Sequence, residues 1–217
     1  MQTVFESEYQ HYTTVIMANG EIPFGEVPLT FLRRAERIIC CDGAIEKLLQ
    51  LGLQPNVIIG DLDSISPTLR QQYRHIIIED KNTEYNDLQK SLKYCISNNY
   101  NNIAIVGASG LRDDHNIANL AILDLYSDKI DVLMVGNKGV FSFISAAATF
   151  ASVPGQAVSV FCLDGKAVFS FHDLKYPVHK RKFRYLWEGS LNEALSNHFT
   201  IEITGGKGII YRCYYSE

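Results

Sequence analysis

No stretch of this chain approaches the ~20 consecutive apolar residues that a membrane-spanning helix needs. The N-terminal MQTVFESEYQHYT carries Glu6 and Glu8 where a secretory leader would carry basic residues and then an apolar block, which argues against export. There is no CxxC pair, so neither a zinc site nor a redox motif is indicated. The five cysteines (Cys40, Cys41, Cys95, Cys162 and Cys213) form an odd set, four of them in or beside apolar runs. Buried free thiols in a reducing cytoplasm are the expectation. Positive charge is not in excess either. A net charge of −4 and a pI near 5.9 leave no electrostatic footprint for nucleic acid. Long linkers, repeats and low-complexity tracts are also missing.

What is present is a globular composition, with 47% hydrophobic and 20% charged residues. At 217 residues the chain can bury roughly 70% of its unfolded surface without staples, as one large or two small domains. Its charge is uneven. Residues 1–136 hold 11 Lys and Arg against 18 Asp and Glu, a balance of −7, while residues 137–217 hold 9 against 6, a balance of +3. The acidic part suits a divalent cation better than a polyanion alone.

The first two-thirds alternates short β-branched runs with amphipathic stretches, the pattern of a mostly parallel sheet flanked by helices. TTVIMANG, RIICCDGA, NVIIGDLDS, HIIIED, NIAIVGASG and DVLMVG read as strands. Residues 28–35, AIEKLLQLG, a stretch opened by Pro67, NDLQKSLKYCISNN and DHNIANLAILDLY read as helices, with Leu88, Leu92 and Cys95 on one face. After about residue 136 the chain turns to alternating runs punctuated by Pro-Gly, Asp-Gly and Gly-Gly, which predicts a small antiparallel β domain, a sandwich or a barrel. Two abutting domains, 1–136 and 137–217, are expected. The basic run HKRKFR (179–184) reads as a solvated turn.

The carboxylates are the informative feature. Asp42, Asp61 with Asp63, and Asp80 each follow the C-terminal end of a predicted strand, the edge where open α/β sheets bind ligands. One such Asp is as well explained as a turn former or helix cap; the recurrence is not. An Asp-x-Asp pair offers two hard oxygen donors of the kind Mg²⁺ takes when it bridges substrate phosphates. Asp87 and Lys90 share a helical face behind Asn86, a candidate cap, so one could reach a metal and the other a phosphate oxygen. Taken by that segment alone, an ordinary surface ion pair is the plainer reading. In GASGLRDDHNIAN, Gly107 and Gly110 permit close backbone approach to an anion, and Arg112 offers a forked, permanent charge. Asp114, His115 and Asn119 open the following helix, His115 reading more simply as a structural hydrogen-bonder. In the second domain Tyr176, Trp187, Ser196 and Asn197 are candidate contacts for an aromatic or cationic ligand, although a lone tryptophan is more often core.

Taken in order, CDGA (41–44), GDLDS (60–64), NDLQKSL (86–92), GASGLRDDHNIAN (107–119), DLKYPV (173–178) and ALSN (194–197) resemble the thiamine pyrophosphokinase family. The resemblance runs from about residue 15 to the end. It implies an N-terminal α/β nucleotide-binding catalytic domain and a C-terminal thiamine-binding β-sandwich, acting as a homodimer with thiamine between the α/β domain of one chain and the β domain of the other. It implies diphosphate transfer from ATP to the thiamine hydroxyl, giving thiamine diphosphate and AMP. By motif, Asp42, Asp61, Asp63, Asp87 and Asp114 become the catalytic acids, with Asp61, Asp63 and Asp87 holding Mg²⁺. Lys90, Gly107, Gly110, Arg112 and Asn119 become the ATP contacts, and Ser196 and Asn197 approach thiamine. Two departures stand out: Leu111 replaces a second glycine before the arginine, and DKNTEYND lengthens the acidic segment. Two other readings remain open here, a Mg²⁺-dependent phosphohydrolase and a non-catalytic nucleotide-responsive binding protein.

Overall fold

A computed structural model describes residues 8–214, which divide into two compact units, one spanning His11–Asn137 and the other running from Lys138 onward together with the residues before His11. The first unit is an open sheet of six parallel strands: β1 (Thr14–Met17), β2 (Arg37–Cys41), β3 (Val57–Gly60), β4 (Ile77–Glu79), β5 (Ile103–Val106) and β6 (Val132–Val135). Five helices connect them in turn: α1 (Glu26–Arg34), α2 (Ile45–Gln50), α3 (Pro67–Gln72), α4 (Asp87–Ser97) and α5 (Asp113–Tyr126). Spatially the order is 4-3-2-1-5-6, so the winding direction reverses between β1 and β5. That reversal opens a crevice beyond the carboxyl ends of the strands.

Local chemistry explains these elements. Every residue of β1, β5 and β6 is buried, as strands covered on both faces require, whereas the edge strand β4 leaves Ile78 and Glu79 exposed. Ser66 caps α3 by accepting from the Leu69 N–H, with Pro67 in the first turn. Asn86 caps α4 through a full capping box with Gln89, and Leu88, Leu92 and Cys95 are the buried face. Among the described residues, no helix is long and apolar enough to cross a membrane. Cys40, Cys41, Cys95 and Cys162 are buried and unbridged; burial pushes the Cys41 and Cys95 thiols up to about 12.

The second unit is antiparallel. Strands β7 (Gly139–Ile144), β9 (Ala157–Phe161), β12 (Gly189–Glu193) and β14 (Gly208–Cys213) run in the order 12-9-14-7. Strands β8 (Ala148–Ala151), β10 (Val168–His172), β11 (Val178–Lys182) and β13 (His198–Thr204) form a second sheet in the order 11-10-13-8. Both contribute to one core, including Val158, Val160 and Ile210 from the first sheet and Phe150, Phe169 and Phe199 from the second. Phe169 lies 4.8 Å from Phe183 and Phe150 5.3 Å from Phe199, the offset ring contacts that fill such an interior.

The basic run expected to be a solvated turn is a strand instead. Residues 179–182 of β11 are all exposed and sit at the sheet margin, where charged side chains discourage edge-to-edge pairing. Trp187 is not a core residue: it is 69% exposed and stacks on Tyr185, ring centroids 6.2 Å apart.

Candidate active site

The carboxylates gather at the crevice of the first unit. Asp42 opens a single 3₁₀ turn (Asp42–Ala44) after β2, and Asp61 and Asp63 follow β3. One oxygen from each of the three can be chosen so that all lie within 4.8 Å of one another. Asp42 is fully buried, Asp61 and Asp63 exposed. The Asp42 carboxylate accepts from the Ser64 N–H through Oδ2 at 3.2 Å, while its buried Oδ1 has no hydrogen-bond partner. A buried carboxylate oxygen left in that state is costly unless a cation or donor arrives. Burial raises the Asp42 pKa, the Ser64 bond opposes it, and the charges of Asp87, Asp61 and Asp63 push further upward. The donor set and this orphan oxygen both suit a hard divalent cation.

Backbone shape brings these groups together. Gly60 ends β3 where any Cβ would collide with the Asp42 side chain and come within 3.2 Å of Asp87 Oδ1. Between Asp61 and Asp63, the buried Leu62 adopts φ +68°, a left-handed conformation that costs a leucine about 1–3 kcal/mol. The Asp63 N–H leans back on Asp61 Oδ1 at 3.4 Å.

Asp87 stands beside the cluster rather than among its three convergent ligands. Its Oδ1 accepts from Lys90 Nζ at 3.2 Å, and the Lys90 side chain is only 2% exposed. This is no surface pair, because a buried ammonium needs anions around it. Burial raises the Asp87 pKa, with the Lys90 bond and charge opposing. Asp80 has a different occupation: Oδ1 accepts from the Asn82 N–H at 2.9 Å in a local turn.

On the other side of the crevice, the loop after β5 and the start of α5 line a cleft of about 280 Å³ that also touches Asp87. Gly107 takes φ +66°, and a Cβ there would meet Ala18 O at 2.7 Å. Gly110 takes φ +98°, packs against Glu21, and donates its N–H to Asn116 Oδ1 at 3.2 Å. Asn119 lines the cleft and donates to Ala108 O at 2.8 Å, so it clamps the loop from α5. Arg112 is exposed and forks onto Asp114, Nε to Oδ1 at 3.1 Å and Nη2 to Oδ2 at 2.5 Å. That pairing holds the Asp114 carboxyl down at about 2. Leu111, 65% exposed, reaches this cleft and a second one bounded by Gly43, Lys47 and Ser64.

In the second unit, Ser196 and Asn197 shape the turn before β13. Ser196 Oγ donates to His198 O at 2.7 Å, and both backbone carbonyls accept from Ser152. Asn197 is exposed, as is Tyr176 at 59%. Sequence reasoning gave no role of their own to Gly60, Asn19, Gly20 and Lys47. Only Gly60 carried a signal, as the residue before the acidic pair at a strand end; the others depend on contacts between distant loops.

Two family models match the chain: "Thiamin pyrophosphokinase, catalytic domain" over residues 29–134, and "Thiamin pyrophosphokinase, substrate-binding domain" over residues 139–211. Thiamine pyrophosphokinase 3 of Oryza sativa subsp. japonica is 27% identical over 126 residues, 46% of this chain and 47% of that protein. Thiamine pyrophosphokinase 1 of the same plant is 27% identical over 154 residues, 58% and 57%. The chain therefore spans about half the length of the curated relatives it matches. Among solved structures, thiamine pyrophosphokinase of Bacillus subtilis superposes with a TM-score of 0.78 at 18% identity, over 92% of this chain and 98% of that one. The Candida albicans enzyme gives 0.79 at 17%, over 95% and 90%. At such identities the superpositions speak for the fold.

Proposed function

The chain belongs to the thiamin pyrophosphokinase family, and from that premise we propose that it transfers a diphosphate from ATP to the hydroxyl of thiamine, releasing AMP. The observation that carries this reading is the meeting of Asp42, Asp61 and Asp63 beside a buried lysine and a glycine loop. Asp42, Asp61 and Asp63 would hold the cation, with Asp87 at their margin; Mg²⁺ is the ion that suits phosphate oxygens. When bound it would supply neutralisation of the phosphate charge.

The chain's own residues do the positioning. Lys90 and Arg112 stabilise charge on the transferred group, Arg112 exchanging part of its hold on Asp114 for phosphate oxygens. The hydroxyl oxygen forms a bond to the β-phosphorus in line with the leaving bridge oxygen, the α–β bridge breaks, and that oxygen departs with AMP. The proton of the hydroxyl passes to a carboxylate of the crevice, with Asp42 and Asp114 the two candidates. Gly107, Gly110 and Asn119 shape the ATP cleft. Ser196 and Asn197 contact thiamine, and the protein works as a homodimer in the cytoplasm.

Asp61→Asn tests the assignment. It should abolish most Mg²⁺- and thiamine-dependent AMP release while leaving the circular dichroism spectrum unchanged. Near-normal rates would sink the cluster's role.

A further inference from the structure

Lys47 lies on α2, outside every sequence motif discussed above, and has three hydrogen-bond donors on one ammonium. All three are used on a single loop: Asn19 O at 2.9 Å, Asn19 Oδ1 at 2.7 Å and Gly20 O at 2.6 Å. It therefore serves as an anchor, with no donor left over for a phosphate.

What it anchors is the seam between the two halves of the crevice. The loop after β1 runs against the glycine loop after β5: Gly20 N–H donates to Gly107 O at 2.6 Å and Glu21 N–H to Ser109 O at 2.7 Å. Neither glycine tolerates a side chain there, since a Cβ on Gly20 would meet Ser109 O at 2.6 Å and one on Gly107 would meet Ala18 O at 2.7 Å. The Asn19 amide is wedged on its other side against Gly43, next to Ser64, the residues that flank the acidic cluster. Further along, Asn137 fixes the same loop by donating to Glu21 Oε2 at 3.0 Å and accepting from Phe24 N–H at 3.0 Å. The loop is pinned at both ends, and its Lys47 end sits where the cation side and the glycine side meet.

We infer that Lys47 is a positioning residue: through Asn19 and Gly20 it sets the glycine loop against the acidic cluster, fixing the phosphate cleft to the width of a Mg²⁺-bound polyphosphate. This rests on the nucleotide reading above, but its physical core, the clamp, can be measured apart from it.

The test uses the full chain carrying Lys47→Met and Lys47→Arg, with Lys47→Gln, which keeps a donor, in reserve should the methionine variant fold poorly. Amide hydrogen exchange at Gly20 and Glu21 is followed without nucleotide, and Mg²⁺-ATP binding is followed by calorimetry. Lys47→Met should speed exchange at those two amides and weaken Mg²⁺-ATP by about tenfold or more, as the released glycine loop gives up ~1.4 kcal/mol or more of phosphate binding. The KM for thiamine should stay within about twofold, since a tenfold change would require ~1.4 kcal/mol at a site the clamp does not touch, and Lys47→Arg should recover part of the ATP affinity. Unchanged protection at Gly20 and Glu21 overturns the clamp. Faster exchange with unaltered ATP affinity overturns the positioning role. If the unsubstituted protein binds no Mg²⁺-ATP, the nucleotide reading fails, and the exchange result still decides whether Lys47 holds the loop.

Discussion

Asp42 shows how a single residue can be unfavourable for the fold and suited to the chemistry. It is fully buried, has one carboxylate oxygen without a partner, and faces three further acids. Its folded pKa lies above the ordinary 3.8, so the folded state binds more protons than the unfolded one. Its contribution to stability is therefore present below pH 3.8 and is lost as pH rises through the raised value. Asp87 shares that sign. It follows that Asp42→Asn, without divalent cation, should melt higher than the unsubstituted protein at pH 7, with the gap closing toward pH 4, even as turnover disappears. Thermal melts across that range check this, and a lower midpoint for the variant at pH 7 would refute the burial argument. Leu62 belongs to the same trade, since its left-handed backbone is tolerated between two acids that must approach each other.

At the scale of elements, legibility tracked burial. The parallel strands were readable because burial on both faces writes unbroken β-branched runs, as in IAIV and VLMV. Helix α4 was readable from its apolar face and from Asn86. Strands β11 and β12 were not. In β11 residues 179–182 are all exposed and the pairing with β10 slips, so no alternation survives. In β12 the register shifts between Gly189 and Asn192, around Leu191 at φ +59°. The acidic site was visible as strand-end carboxylates, Asp42 with Asp61 and Asp63, but the place of Asp87 beside their convergent oxygens rather than among them, and the clamp by Lys47, arise from segments distant in sequence. The cap that was legible can be weighed: Asn86→Ala removes the capping box of α4 and should cost about 0.5–2 kcal/mol. That corresponds to a melting point lower by about 2–4 °C per kcal/mol in a chain of this size. A midpoint unchanged within error would mean the cap contributes nothing to holding Asp87 and Lys90 at the crevice.

Across the whole molecule, two different economies of folding stand side by side. The first unit places acids and glycines at one edge of a parallel sheet, where the reversal between β1 and β5 leaves the backbone open to a ligand. The second unit builds an aromatic core between antiparallel sheets and presents Tyr176, Tyr185 and Trp187 at its surface. Family models match over residues 29–134 and 139–211. The charge balance also differs along the chain, −7 over residues 1–136 and +3 over residues 137–217. The central claim is the identity of the group transferred, and separating the products by chromatography tests it most directly. Purified protein with Mg²⁺-ATP and thiamine should yield AMP and thiamine diphosphate in equal amounts. ADP with thiamine monophosphate, or inorganic phosphate released whether or not thiamine is present, would contradict it.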